Sequence, residues 1–163
     1  MKPEIYTALY GIVDSMLVSN GLHYDWRSTK AGSRYFSEKF RPSLHIALQD
    51  GAGDEYEENN AQGNNEYGID ETIVLTGRIP VTEVDVSAGE IPYEASIAQA
   101  KGFEDIMRAF AVPGPFVGPV LDAGAVDMWY QSHQYISDAD NQRYNTMSVQ
   151  VTLGVKYFLG RGI

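Results

Sequence analysis

The sequence predicts an α+β domain, with two principal helices packed on one side of a mainly antiparallel sheet and a long C-terminal β-ribbon. Three observations carry this reading. Ile5–Leu17 and Tyr93–Phe110 repeat apolar residues at helical spacing, while residues 42–49 and 72–86 read as strands. The last third then holds two long β-patterned runs, residues 125–136 and 144–159, separated by a polar turn. At 163 residues, with neither an internal repeat nor a linker, the chain suits a single domain over 1–163.

The first helix opens at Pro3 and Glu4. Proline lacks the donor that a first turn would orphan, and an acid favours the positive end of the helix dipole. Ile5, Leu9, Ile12 and Met16 form its stripe, widened by Tyr6, Tyr10, Val13 and Leu17, and Asn20 and Gly21 are expected to end it. Residues 22–41 then mix Arg27, Lys30, Arg34, Lys39 and Arg41 with five aromatic residues. Such a mixture is a candidate contact segment for nucleic acid or protein, or a solvated connection whose rings tuck under the sheet.

Leu44, Ile46 and Leu48 alternate with His45, Ala47 and Gln49, as in a strand with one buried face. From Asp50 to Glu71 the character changes to eight acids (Asp50, Asp54, Glu55, Glu57, Glu58, Glu66, Asp70, Glu71), no base, and many Gly and Asn residues. This predicts an acidic loop over 50–71, a mobile hairpin tip that orders only against a partner, with Asp54, Glu55, Glu57, Glu58 and Glu66 as its contact residues. Around Asp50 and Asp54 the alternating ligands and central glycine of a calcium loop are missing.

Thr72–Val86 resumes strand character, with Pro80 marking an edge or a bulge. The second helix is predicted over 92–111. Tyr93, Ile97, Ala100, Phe103, Met107 and Phe110 form its inward stripe, reinforced by Ile106, with Gln99 and Asp105 among the residues facing away or at its flanks. Val112–Pro119 is an irregular crossing rich in Pro and Gly. In the last strand Met147, Val149, Val151, Leu153, Val155 and Tyr157 share one face, and Thr146, Ser148, Gln150, Thr152 and Lys156 the other.

The net charge of −10 opposes a large DNA-reading surface, which needs cations on phosphates. Absence of cysteine removes disulfides and thiolate metal sites and fits assembly in a reducing cytoplasm. No run reaches the length of a membrane span, and Glu4 and Asp14 bracket Ile5–Val13 in a way that signal peptides avoid. His23, His45 and His133 show no metal-ligand spacing, and neither a nucleophile elbow nor a phosphate-binding glycine loop is present. The reading is therefore of a non-enzyme without cofactors. Against it stands a small α+β enzyme or ligand-binding protein using Asp127, His133 or His45.

The order of Ile5–Val18, Leu44–Leu48, Thr72–Val86, Pro92–Phe110, Ala125–Ile136 and Tyr144–Leu159 resembles the tail-terminator proteins of long-tailed bacteriophages. That resemblance implies a virion protein assembled in the host cytoplasm, a homo-hexameric ring that ends the tail tube and receives the neck and head. Its implied partners are copies of itself, the tail-tube protein, a neck or head-completion protein, and DNA passing without sequence recognition, with no membrane. A neck or head-closure protein and a tail-tube subunit share several of these features. An acidic wall would suit a DNA conduit by repelling phosphate.

Overall fold

A computed structural model gives the structure and describes residues 1–29, 41–56, 66–81, 93–137 and 146–160. Helix α1 (Pro3–Asp14) and a 3₁₀ turn (Val18–Asn20) precede the short strand β1 (Arg27–Ser28). Strands β2 (Ser43–Tyr56) and β3 (Glu66–Pro80) come next, then α2 (Tyr93–Ala109), α3 (Gly118–Asp122), β4 (Ala125–Ile136) and β5 (Thr146–Gly160). The sheet order is β1-β2-β3-β5-β4, with β1 parallel to β2 and every other pair antiparallel. The α+β class and the two principal helices on one side are as expected.

β3 and β5 pair without interruption from Glu66↔Gly160 to Pro80↔Thr146. Because side chains alternate, this register gathers Ile73, Leu75 and Ile79 with Val149, Val151, Leu153, Val155 and Tyr157 on one buried face. Ile5, Leu9, Ile12, Val13 and Met16 from α1 and Ile106 and Ala109 from α2 join the same core. The C-terminal strand is thus interior, and only β4 of the expected ribbon lies at the sheet boundary.

The expected loop over 50–71 is corrected. β2 runs on to Tyr56 and β3 starts at Glu66, with Gly51↔Glu71 through Tyr56↔Glu66 paired after a register break between Leu48 and Gly51. Gly and acid content hid this arm because neighbouring side chains supply the cover that glycine lacks. A Cβ on Gly51 would meet Glu71 Cγ at 2.9 Å, and one on Gly53 would meet Ile69 Cδ1 at 2.7 Å. Residues 57–65 of that expected loop, and residues 82–86 of the expected strand, lie outside the described residues.

α1 ends at Asp14 rather than at Asn20, and the left-handed Gly21 (φ 91°) closes the 3₁₀ turn instead. Ile106 and Phe110 are buried as expected, but the buried face of α2 is otherwise turned from the expected stripe, to Ala95, Ala98, Gln99, Gly102, Asp105 and Ala109, while Tyr93 and Ala100 are exposed. Small residues bring the helix close to the sheet, and Ile79 Cδ1 fills the place where a Cβ on Gly102 would stand. Two polar residues pass inward because hydrogen-bond partners meet them there. Gln99 Nε2 donates to Ser148 O (3.1 Å) and Ile136 O (3.3 Å). Asp105 Oδ1 accepts from His23 N (2.8 Å), and Oδ2 accepts from Tyr24 N (3.1 Å) and Trp26 Nε1 (2.8 Å).

β1 covers only Ser43 and Leu44 of β2, and past it the hydroxyl of Tyr10 stands in for a strand. It accepts from Ile46 N (3.0 Å) and lies 3.2 Å from Ile46 O, to which Tyr6 also donates (2.7 Å). Burial first, then the hydrogen bond and charge of Tyr10, push the Tyr6 phenol up to about 12. Burial, followed by the hydrogen bond and charge of Glu71, likewise raises Tyr157. The Glu71 carboxylate accepts from that phenol and also meets the Met1 ammonium at 2.7 Å.

Two predictions follow from these contacts. A phenol whose folded pKa exceeds its ordinary 10.0 holds its proton more tightly when folded, so the Tyr6 contribution is complete below pH 10 and is lost as pH rises toward 12. Urea midpoints should therefore fall over that window, and less steeply in Tyr6→Phe; an unchanged slope would contradict the assignment. Asp105→Asn should cost about 1–3 kcal/mol although isosteric, since all three partners of the carboxylate are donors and an amide NH₂ must face one of them. Denaturant unfolding measures it, and a neutral result would show that the carboxylate does not hold these bonds.

Candidate interaction surface

β4 is the sheet boundary farthest from β1, and no described strand pairs with its outer side. In an antiparallel ladder alternate residues turn N–H and C=O away from the partner, so this strand presents backbone groups that no described strand takes, although side chains engage Met128 N and Ile136 O. Of the nine exposed large hydrophobic residues among those described, four (Val126, Trp129, Tyr130 and Tyr135) lie on β4. Exposed apolar residues scattered singly are ordinary, but a concentration on one edge strand marks a contact surface.

Register breaks at Val126 and Gln131 shape that surface. Strict alternation would place Ser132 on the face of Tyr130, whereas the extra residue Gln131 returns His133 to it. Tyr130 Oη and His133 Nδ1 share a hydrogen bond of 2.6 Å. Phe103 of α2 packs against the His133 ring at 4.2 Å between centroids, and Tyr135 meets His133 edge-on at 5.4 Å. On the opposite face Trp129 lies over Gly154, covering the position of a Cβ, and Gln134 Nε2 donates to Gln150 Oε1 at 2.7 Å.

The residues expected from sequence fall elsewhere. Asp54 and Glu55 are β2 positions paired with Gly68 and Tyr67, and Glu66 is the exposed first residue of β3. They belong to a paired arm instead of a loop, and Glu57 and Glu58 lie outside the described residues. Arg27 forms β1, and Arg41 donates to Trp26 O (2.9 Å) and Asp25 O (3.3 Å), fastening the chain beneath β1. Lys30, Arg34 and Lys39 lie outside the described residues.

The polar residues weighed for a ligand site are not brought together. Asp127 accepts from Met128 N at 2.8 Å and sits at the rung of Lys156, on the other face from His133. His45 is on β2, near Thr29 Oγ1 (3.0 Å) and Tyr10 Oη (3.3 Å), and His23 meets Glu104 at 3.4 Å beside α2. Among the described residues no three His, Cys, Asp or Glu side chains gather as a metal site, and no helix is long and apolar enough to cross a membrane.

The chain matches no family model and no curated protein. The signal that pointed to β4 was present in the sequence. Trp129 and Tyr130 are consecutive and must face opposite sides of a strand, and Asp127 is the only acid in the 12 residues of β4 in a chain of net charge −10.

Gly154→Ala should displace the Trp129 indole, cost about 1 kcal/mol through overpacking, and raise the share of tryptophan emission quenched by acrylamide. Unchanged quenching would mean that the indole does not rest on the strand.

Proposed function

We propose that the protein is a structural subunit of a homomeric ring, most concretely a tail-terminator subunit between a phage tail tube and its neck. The observation that carries an assembly role is the open outer edge of β4, twelve residues long and lined with Trp129, Tyr130 and Tyr135. The two bulges of β4 bend this edge but leave its aromatic side chains exposed, and exposed apolar side chains gathered on one strand mark a contact surface. The outer side of β2 beyond Leu48 is a second stretch beside which no described strand lies. The segment order supports the tail-terminator assignment in particular, and the net charge of −10 suits a wall that lets DNA pass without holding it. Closed cyclic symmetry would repeat one heterologous contact around that channel.

The test is electron microscopy with mass photometry, on the protein alone and with tail tubes. The expected outcome is a six-fold ring on the head-proximal end of the tube. A monomer in both settings, together with a turnover activity lost on replacing Asp127 or His133, would favour the enzyme reading.

A further inference from the structure

The sheet has a second open stretch. On β2, strand β1 reaches only Leu44 and the tyrosine hydroxyls reach Ile46, so among the described elements nothing pairs with the outer side from Leu48 to Tyr56. Following the rungs across the sheet, Leu48 stands opposite Ile73, Ile73 opposite Leu153, and Leu153 opposite Tyr130. Leu48 and Tyr130 therefore occupy one rung at opposite margins, on the same helix-covered face. They are exposed to 49% and 45%. Three successive antiparallel pairings also leave β2 and β4 antiparallel to each other.

We propose that the outer edge of β4 takes the Leu48–Tyr56 stretch of β2 from a second copy of this chain as its next strand, so that one antiparallel sheet runs through neighbouring subunits. The inference rests on the ring reading and names the two surfaces that meet. In a ring whose axis follows the strands, the level and direction of both edges are preserved between copies, and Leu48 of one copy covers Tyr130 of the next. Charge selects this combination over arm against arm. By composition the Leu48–Tyr56 stretch holds three acids and no base, so pairing two such stretches would bring net negative charge against net negative charge, whereas β4 holds a single acid, Asp127. The bulges also match in kind. β4 is interrupted at Gln131, next to Tyr130, and β2 between Leu48 and Gly51, so each edge bends near the shared rung.

Because the chain has no cysteine, single-site cross-linking tests this directly. Gln49→Cys and Gln131→Cys place thiols at exposed positions beside Leu48 and Tyr130, and Ala52→Cys with Asp127→Cys forms a second exposed pair on a common rung. Treated with a short bismaleimide at ring-forming concentration, an equimolar mixture of the two members of a pair should give covalent dimers, and each member alone should give none. Dimers from Gln131→Cys alone would show two β4 edges meeting about a two-fold, and dimers from Gln49→Cys alone would show two arms meeting; either overturns the proposal. Rings seen by mass photometry without cross-links in either mixed pair would overturn it while leaving the ring reading intact. A monomer under all conditions would remove both. Circular dichroism of each variant confirms that folding is retained.

Discussion

The uninterrupted register between β3 and β5 is the constraint on which the other elements depend. A slip of one residue would turn Val149, Val151 and Leu153 out of the core while Leu75 and Ile73 of β3 stayed in it, and the shared apolar face would be lost. With that register fixed, one face of the sheet is apolar along its length, both helices must lie there, and the two remaining long strands are left as the outer layers of the sheet. β2 is then partly closed by β1 and two tyrosine hydroxyls. On the far side of β4 no described strand follows, and only single side chains, Asp127 on Met128 N and Gln99 on Ile136 O, engage its backbone. The surface offered for assembly is thus a consequence of which strand occupies the centre.

A second constraint fixes how the helices sit. α2 carries small residues toward the sheet and a carboxylate toward the loop before β1, and the three donors gathered by Asp105 spare that buried charge a counter-ion. Trp26 is held from both ends, its indole by Asp105 and its carbonyl by Arg41. Its ring lies over Gly77 of β3, where a Cβ would stand 3.0 Å from the ring carbons. One aromatic residue in a segment of weak periodicity thereby ties the N-terminal loop, the second helix and the sheet into one core.

Most of the fold was legible because it rests on alternation. β5 and β4 were expected at nearly their observed bounds, and the face assignment of β5 is the observed one. The errors share one physical origin, in that cover supplied by a distant side chain leaves no local pattern. Gly51 and Gly53 read as loop because Glu71 and Ile69 protect them from across the ladder. Gln99 and Asp105 read as solvent-facing because their partners lie 37 to 82 residues away in sequence. β1, two residues long and parallel to β2, carries no periodicity of its own. The acidic and basic segments stand out by composition alone. The aromatic edge of β4 instead required knowing that the strand ends the sheet.

The interior strand β5 is also the last described element to be made. While a ribosome synthesises the chain, β3 has only β2 beside it and β4 has no partner at all, until β5 emerges and joins both along their length. The loop at 22–26 waits as well, because Trp26 reaches its acceptor only when residue 105 has been added. The nascent chain therefore carries unpaired, aromatic strand edges until residues 146–160 have been added, a period in which chaperone protection would matter most to its yield.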